Sequence, residues 1–429
     1  MKLSSERVFI TGARISLAIL FLFALIPIKW SGLMAGVLCL FSILTYATSD
    51  QRKTPTRSDL LFISVFIALP IFYLLELFWA EDVDYVWAIL QRKMGLIIIP
   101  VAILFLKLSG HKIDHSKYFN LYILGILSLV TFTSISLLFM GLDSQQIKSG
   151  GYAFALRNKI EVVAGLHPTY FGLLVSFALL LMVIKISVAE ASKFKLLWHT
   201  TLSLLLLVFL IALASRMAIL SFLLGLGAIL IVQKNKLKYK LGLMGIGLLT
   251  TLLLAFLLPS AQSRIMELSE LGFNSTSMRY SIYDCSLFLT KEHWLSGLNV
   301  EYLQNNLNAC YYVKSPELLI EGRDYNTHNE YLNVLLGKGI LGLTILIGAL
   351  VLFFRKSRHS LALVGFSVLV SCIFISENIL ERQIGVFFYA LYGSLLFFFN
   401  PPFEPEQKII KNALNRPRSR AKRDLEDKV

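Results

Sequence analysis

Residues 327–342 read THNEYLNVLLGKGILG, and at this point a polar loop ends and an apolar helix begins. Thr327 and Glu330 have the spacing of a capping box, in which each side chain accepts a hydrogen bond from the backbone amide of the other residue. This spacing predicts a helix that starts at Thr327 and carries His328 in its first turn. The free amides of a first turn bind anions, and a histidine there titrates near neutral pH. The alternative is a capped helix that enters a bilayer with a polar histidine at the interface.

The composition is that of a membrane protein. Of the 429 residues, 56% are hydrophobic and 16% are charged, and the mean hydropathy is +0.68. A helix needs roughly 20 apolar residues to cross a bilayer. The sequence therefore predicts an all-α polytopic membrane protein with about twelve transmembrane segments, at 15–28, 31–49, 60–79, 88–106, 119–141, 168–186, 197–214, 217–233, 241–259, 331–354, 360–376 and 384–400.

The distribution of Lys and Arg predicts the orientation of these helices, because basic residues concentrate in cytoplasmic loops. With the N-terminus inside, the inner segments hold 27 of the 41 basic residues, so both termini are predicted to be cytoplasmic. The first helix is interpreted as an uncleaved span. The net charge of +14 is explained by contact between the inner face and anionic lipid, and it requires no nucleic acid. The predicted organisation is helices 1–9 over 1–258, a large outer loop with surface helices over 259–327, helices 10–12 over 328–400 and a basic cytoplasmic tail over 401–429.

Charged residues at the outer helix ends are the candidates for function. Arg92 and Lys93 lie at the outer start of the fourth span, and cations there need water, lipid phosphate or an anionic ligand. His167 precedes Pro168 at a helix start, where it either contacts a ligand or only shapes the helix end. Arg216 falls in the tight turn between the seventh and eighth spans, where it either snorkels to the membrane surface or binds an anion.

The large outer loop carries a further arginine and two cysteines. Residues 277–289 mix apolar and polar residues at helical spacing, which predicts a helix on the membrane surface with Arg279 on its polar side. Cys285 and Cys310 both fall in this loop, and an oxidising compartment would permit a disulfide between them, although the sequence does not establish their distance.

Two smaller features follow the loop. Gly339 and Gly342 are interpreted as a close contact between helices near the middle of the bilayer. Glu377, Glu381 and Arg382 cluster at the outer end of the eleventh span, where they either line the same vestibule or neutralise one another.

Together, Arg216, Arg279 and His328 are predicted to form one site at the outer membrane surface, with Arg92 and Lys93 as additions. Arginine forks bind phosphate oxygens in a bidentate manner and keep their charge. They can stabilise a departing diphosphate without a metal or another cofactor, while a histidine accepts the proton of an attacking hydroxyl. A sugar linked to a lipid through diphosphate requires both features and arrives from the bilayer.

Two motifs resemble those of the O-antigen ligase family. Residues 216–220, RMAIL, resemble its R-x3-L motif, and His328-Asn329 followed by nine residues and GILG at 339–342 resembles its H-[NSQ]-x9-G-x-x-G motif. The motif resemblance covers mainly residues 160–400, and the topology extends it to the whole chain. It implies an inverting, metal-independent glycosyltransferase of the GT-C type in the bacterial inner membrane. Its donor would be a glycan on undecaprenyl pyrophosphate and its acceptor lipid A-core, with the site facing the periplasm.

The resemblance also implies roles for individual residues. Arg216 and Arg279 would bind the diphosphate, and His328 would activate the acceptor hydroxyl or orient the donor. Asn329, the second residue of the longer motif, is a candidate for substrate binding together with Arg92, Lys93 and His167.

Three alternatives remain open from the sequence. The O-antigen or capsule polymerases share a related domain and the same donor, but they transfer glycan to a second lipid-linked glycan. A metal-dependent transferase would use the D-x-D spacing of Asp82 and Asp84. A polysaccharide transporter or flippase would also explain twelve spans, but it predicts charges along a path through the membrane.

Overall fold

The fold is built from packed α-helices. The computed structural model describes residues 2–142, 144–188, 193–233, 275–319, 324–358, 360–399 and 402–403, and these ranges contain no β-strand. The helices are α1 (Lys2–Phe21), α2 (Ile28–Thr48), α3 (Arg57–Glu76), α4 (Val83–Lys93), α5 (Gly95–Leu108), α6 (His115–Met140), α7 (Ser144–Ala164), α8 (Pro168–Val188), α9 (Lys193–Ala212), α10 (Arg216–Val232), α11 (Ser275–His293), α12 (Val300–Lys314), α13 (Glu330–Ser357), α14 (Leu361–Ile373) and α15 (Gln383–Phe398).

The prediction of a polytopic helical membrane protein is confirmed. By length and composition, the described residues contain seven helices that can cross a membrane, and α4 and α5 together count as one of them. The helices α10, α14 and α15 are apolar but shorter, at 17, 13 and 16 residues. The span predicted over 241–259 lies outside the described residues.

Two predicted spans are interrupted in the structure. The sequence predicts a first span over 15–28, but α1 begins at Lys2 and ends at Phe21, and a 3₁₀ turn follows at Phe23–Leu25. The span predicted over 88–106 lies within the membrane-length segment Val83–Leu108, in which α4 ends at Lys93 and α5 begins at Gly95. Apolar residues continue across the first break, at 22–26, whereas the polar residues Gln91, Arg92 and Lys93 directly precede the second.

Helix α15 lies at the centre of the bundle. Every residue from Ile384 to Phe398 is buried, as expected for a helix that is apolar on all sides. It packs against α3, α5, α8 and α14. The Tyr392 ring lies 4.8–5.4 Å, between centroids, from the rings of Tyr122, Phe177 and Phe21 on three other helices. By contrast, the membrane-length segments of α2, α6 and α9 are only 22–33% buried, and each exposes several large apolar side chains, as surfaces that contact lipid do.

One end of the bundle collects several of the basic loops. Contacts that join them are Lys53 N to Leu108 O (2.8 Å), Arg14 Nη2 to Lys112 O (3.1 Å), the Lys107–Asp59 ion pair (2.6 Å) and Phe403 N to Ser116 Oγ (3.2 Å). The starts of α8, α10 and α13 lie at the opposite end. The structure therefore separates these basic loops from the predicted site residues.

An outer layer of two helices covers that opposite end. Cys285 of α11 and Cys310 of α12 form a disulfide with a Cα–Cα distance of 5.8 Å. Both cysteines are buried in a small apolar core that includes Leu336 of α13. The disulfide that the sequence left open therefore holds α11 against α12.

The connection between α11 and α12 packs into a break in α13. Gly339 has φ +64° and ψ −168°, so the α13 backbone is not helical at this residue. A β-carbon at Gly339 would collide with Leu295 O, and a β-carbon at Gly297 would collide with the backbone of Lys338 and Gly339. The interpretation of Gly339 as a contact between two helices is therefore wrong, because the glycine instead admits a loop of the outer layer.

Candidate active site

The connection between α14 and α15 is the centre of the candidate site. Glu330 N, at the start of α13, donates to Phe374 O at 2.8 Å. Tyr170 OH, near the start of α8, donates to Asn378 O at 3.1 Å. The starts of two helices therefore meet at this connection, which includes Glu377.

The helix start at α13 differs from the predicted capping box. Helix α13 begins at Glu330, and its N-cap is Asn329, whose Oδ1 accepts from Leu332 N at 3.0 Å. Thr327 Oγ1 instead donates to Asn329 O at 2.9 Å. The prediction that His328 lies in the first helical turn is therefore wrong, and this residue belongs to the preceding loop.

His328 has an uncommon backbone conformation. Its φ is +45°, in the left-handed region that is unfavourable for a residue with a side chain and that occurs often at functional sites. Two contacts hold it there, since His328 N donates to Asn326 Oδ1 at 3.1 Å and Tyr283 OH donates to His328 O at 3.2 Å. These contacts stabilise the backbone of His328 in this conformation.

Glu377 connects the predicted site residues. Its Oε1 accepts from Arg279 Nη2 at 2.9 Å and from Thr169 Oγ1 at 3.4 Å. Its Oε2 lies 3.5 Å from His328 Nδ1, which is an ion-pair distance without the geometry of a hydrogen bond. The structure therefore brings Arg279 and His328 together on one carboxylate.

The environment of Glu377 keeps this carboxylate charged. Burial on its own would raise the pKa of Glu377, because removal from water disfavours the ionised form. The contact with His328 and the positive charges of His328 and Arg279 outweigh this effect and hold the pKa below its usual value. Glu377 is therefore an anion at neutral pH and can stabilise a protonated imidazole.

Arg216 begins α10 next to this cluster. Helices α8 and α10 run side by side, and Ser176 Oγ donates to Ala218 O at 3.1 Å. A β-carbon on Gly172 would lie 3.5 Å from Ser215 Cβ, and Gly172 is one helical turn after Thr169. Because Thr169 contacts Glu377, the structure places the start of α10 beside the cluster. The Arg216 side chain is exposed at this end of the bundle.

His167 also lies beside the cluster, in the loop before α8. Its Nδ1 accepts from Thr169 N at 3.4 Å. Burial lowers the pKa of His167 and outweighs the opposite effect of the negative charges of Glu377 and Glu161. The ring is therefore neutral at neutral pH, and its visible contact is with a helix start. Its predicted contact with a ligand stays a prediction.

The remaining substrate-binding candidates have different positions. Arg92 is exposed near the end of α4. Lys93 is buried, with 3% of its surface exposed, and its Nζ donates to Leu380 O at 3.0 Å. The Oδ1 of Asn329 is occupied as the cap of α13. The roles of Arg92, Lys93 and Asn329 in substrate binding stay predictions.

The acidic residues noted in the sequence have separate partners. Glu377 pairs with Arg279 and not with the neighbouring Arg382, so the interpretation of mutual neutralisation is wrong for this residue. Glu381 accepts hydrogen bonds from Asn326 and Asn378. Asp82, one of the two D-x-D residues, caps α4 by accepting from Tyr85 N at 2.9 Å.

Sequence comparison finds a similarity, in the central segment of the chain. Residues 201–347 match the family model described as O-antigen ligase. This segment of the chain is therefore similar to the O-antigen ligase family. The matched segment includes Arg216, Arg279 and His328, so it spans the three residues to which the resemblance assigned the chemistry. Comparison with curated proteins found no match.

Glu377 lies outside the segment that matches the O-antigen ligase model. Sequence reasoning placed it in the vestibule as one of two alternatives, but it did not connect Glu377 with His328. The available signal was a carboxylate in a short polar interruption between two apolar helices. The same applies to Thr169, Asn326 and Tyr283, whose polar contacts become visible only in the folded chain.

The arrangement suits the transfer of a group away from an anionic leaving group. Arg279 uses one nitrogen for Glu377, and a guanidinium has five N–H donors, so others are available for phosphate oxygens. Glu377 can stabilise the positive charge that His328 acquires when it accepts a proton. This is the logic of a histidine oriented by a carboxylate, in which the carboxylate keeps its charge throughout.

Proposed function

We propose that this protein is an O-antigen ligase of the bacterial inner membrane. It would transfer glycan from undecaprenyl pyrophosphate to lipid A-core, without a metal and with inversion at the anomeric carbon. The observation that carries the proposal is the contact of Arg279 and His328 with Glu377, beside the start of α10 where Arg216 lies. The similarity to the O-antigen ligase family over residues 201–347 supports a function of this class.

The proposed reaction is a single displacement at the sugar. The acceptor hydroxyl oxygen attacks the anomeric carbon, and its proton passes to His328. The bond between that carbon and the diphosphate oxygen breaks, and the diphosphate leaves with the electron pair. Arg279 and Arg216 bind the negative charge that develops on the leaving group, which is the type of electrostatic stabilisation that contributes most in many enzymes.

The same proposal includes a topology. About twelve spans in a GT-C-like arrangement would place both termini in the cytoplasm and the outer layer in the periplasm. The Cys285–Cys310 disulfide supports this orientation, because disulfides persist in oxidising compartments. The basic loops at the opposite end of the bundle support it as well.

The decisive experiment separates a ligase from a polymerase. In cells that lack the protein, loss of a ligase leaves the lipid A-core without glycan while undecaprenyl-linked polymer accumulates. Loss of a polymerase leaves core that carries a single repeat unit. A lipopolysaccharide gel distinguishes these patterns, and the single-repeat pattern would overturn the ligase assignment in favour of the polymerase.

A second experiment tests the reaction itself with purified protein in liposomes. Lipid-linked glycan and lipid A-core are supplied with a chelator, and transfer is expected to continue at the same rate. His328→Ala and Arg279→Ala are expected to abolish transfer, whereas Asp84→Asn, on the exposed side of α4, is expected to retain it. Full activity in both of the first two variants would show that the site is elsewhere.

A further inference from the structure

Two buried ionisable side chains, Lys93 and Glu330, bind the backbone of Leu380 next to the candidate site. Lys93 Nζ donates to Leu380 O at 3.0 Å, and Leu380 N donates to Glu330 Oε2 at 2.8 Å. The backbone N–H and C=O of Leu380 are thus both bound by ionisable side chains from distant helices. Hydrogen bonds to charged groups are stronger than bonds between neutral groups.

The burial of both side chains is unusual. Lys93 is 3% exposed and Glu330 is fully buried. Removing two ionisable groups from water costs free energy that apolar residues would not require, so their burial contributes little to net stability. The Lys93 ammonium also lies 4.7 Å from the centre of the Tyr73 ring, which stabilises a buried cation. A role in geometry explains these charges better than a role in stability.

The bound residue is connected directly to the site. Leu380 follows Glu377 by three residues, and the turn between them is closed by Ile379 N, which donates to Glu377 O at 3.1 Å. Glu330 follows His328 by two residues, and its backbone N donates to Phe374 O on the other side of Glu377. Glu330 therefore bridges the segment that carries His328 and the segment that carries Glu377.

We propose that Lys93 and Glu330 are positioning residues that keep Glu377 in contact with His328. They hold the 377–381 turn against the start of α13 through the backbone of Leu380. Neither residue needs to touch substrate for this role. The inference rests on the proposed function in so far as the contact between Glu377 and His328 serves glycan transfer.

The test compares Lys93→Met, Glu330→Leu and the double variant in liposomes with lipid-linked glycan and lipid A-core. Each single variant is expected to lower kcat about 10- to 100-fold, because a small displacement of reacting groups has effects of this size. The KM for the donor is expected to stay within about threefold, since the arginines that bind diphosphate are unchanged. The double variant is expected to be no slower than the slower single variant, because both side chains act on one residue.

A conservative variant separates positioning from a general loss of structure. The amide oxygen of Glu330→Gln can still accept from Leu380 N, so this variant is expected to recover most of the kcat that Glu330→Leu loses. The matched control is Lys107→Met, which removes a lysine from an ion pair of 2.6 Å with Asp59 at the opposite end of the bundle. This control is expected to change kcat less than twofold.

Hydrogen–deuterium exchange supplies a measurement that does not depend on activity. In Lys93→Met and Glu330→Leu, amide exchange over residues 374–382 is expected to rise at least tenfold, and in Lys107→Met it is expected to stay unchanged. Three outcomes would overturn the positioning role. The first is faster amide exchange with an unchanged kcat, and the second is unchanged amide exchange. The third is a double variant whose loss of kcat equals the product of the losses in the two single variants. If the wild-type protein transfers no glycan, the proposed function is wrong, but the exchange measurement still tests the positioning role. Unchanged amide exchange in the variants would then refute the contact of Lys93 and Glu330 through Leu380.

Discussion

Replacement of Glu377 by Gln tests the centre of the candidate site most directly. The carboxylate lies 3.5 Å from His328 Nδ1, and its side chain is only 11% exposed, so solvent screens this contact weakly. The amide oxygen of Gln can still accept from Arg279 Nη2. The substitution therefore removes mainly the negative charge that stabilises a protonated His328.

The size of the effect follows from the contact. If the contact becomes a hydrogen bond to a charged group when His328 is protonated, it contributes about 1.5–3 kcal/mol. Each 1.36 kcal/mol in activation free energy changes a rate tenfold, so kcat is expected to fall about 10- to 150-fold. The KM for the lipid-linked donor is expected to change less than about threefold, because the contact of Arg279 is kept.

The assay measures kcat and KM in liposomes at saturating acceptor, together with the melting temperature of each variant. Asp284→Asn is the matched control, since it alters an ion pair of the same 2.9 Å length between Asp284 and Lys314 in the outer layer. This control is expected to retain at least half of the wild-type kcat. If Glu377→Gln is equally active, the carboxylate does not assist His328 and the reasoning is wrong.

Three further predictions concern the same region. Arg279→Lys keeps the positive charge but loses the planar guanidinium that binds two phosphate oxygens at once. The KM for the donor is therefore expected to rise about 10-fold or more in the liposome assay. An unchanged KM would contradict diphosphate binding by Arg279. Replacement of both Cys285 and Cys310 by Ser is expected to lower the free energy of unfolding by about 2–4 kcal/mol. The variant should therefore melt at a lower temperature than the wild type. Equal melting temperatures would show that the disulfide is not needed to hold α11 against α12. Because the pKa of Glu377 is lowered in the folded protein, its contribution to stability is present above its ordinary value near 4.5 and is lost as the pH falls below that value. From pH 5.5 to pH 3.5 the melting temperature of the wild type should therefore fall more than that of Glu377→Gln, and parallel curves would rule out this linkage.

The sequence predicts the class of fold because the length of an apolar run decides whether a helix can cross a bilayer. It does not predict where such a helix breaks. The breaks at Met94 and Gly339 occur within continuing helices, and at Gly339 the cause is a loop of the outer layer that packs against the backbone. That loop is more than 30 residues away along the chain, so no local pattern reveals it.

The same limit applies to the candidate site. Arg216, Arg279 and His328 stand out because charged and titratable residues are conspicuous beside apolar helices. Glu377 contacts Arg279 across 98 residues of sequence, and Lys93 contacts Leu380 across 287. Local spacing cannot show such contacts, which explains why Lys93 was expected at the surface although the structure buries it.

The two glycines at the break in α13 have a consequence for the geometry of the candidate site. Gly297 and Gly339 let two backbones touch without side chains between them, and Leu298 N donates to Leu336 O at the same place. This contact fixes the connection between α11 and α12 against α13, the helix that follows His328. This backbone contact carries no functional group, yet a larger residue at either glycine is expected to displace Arg279 from His328 in the candidate site.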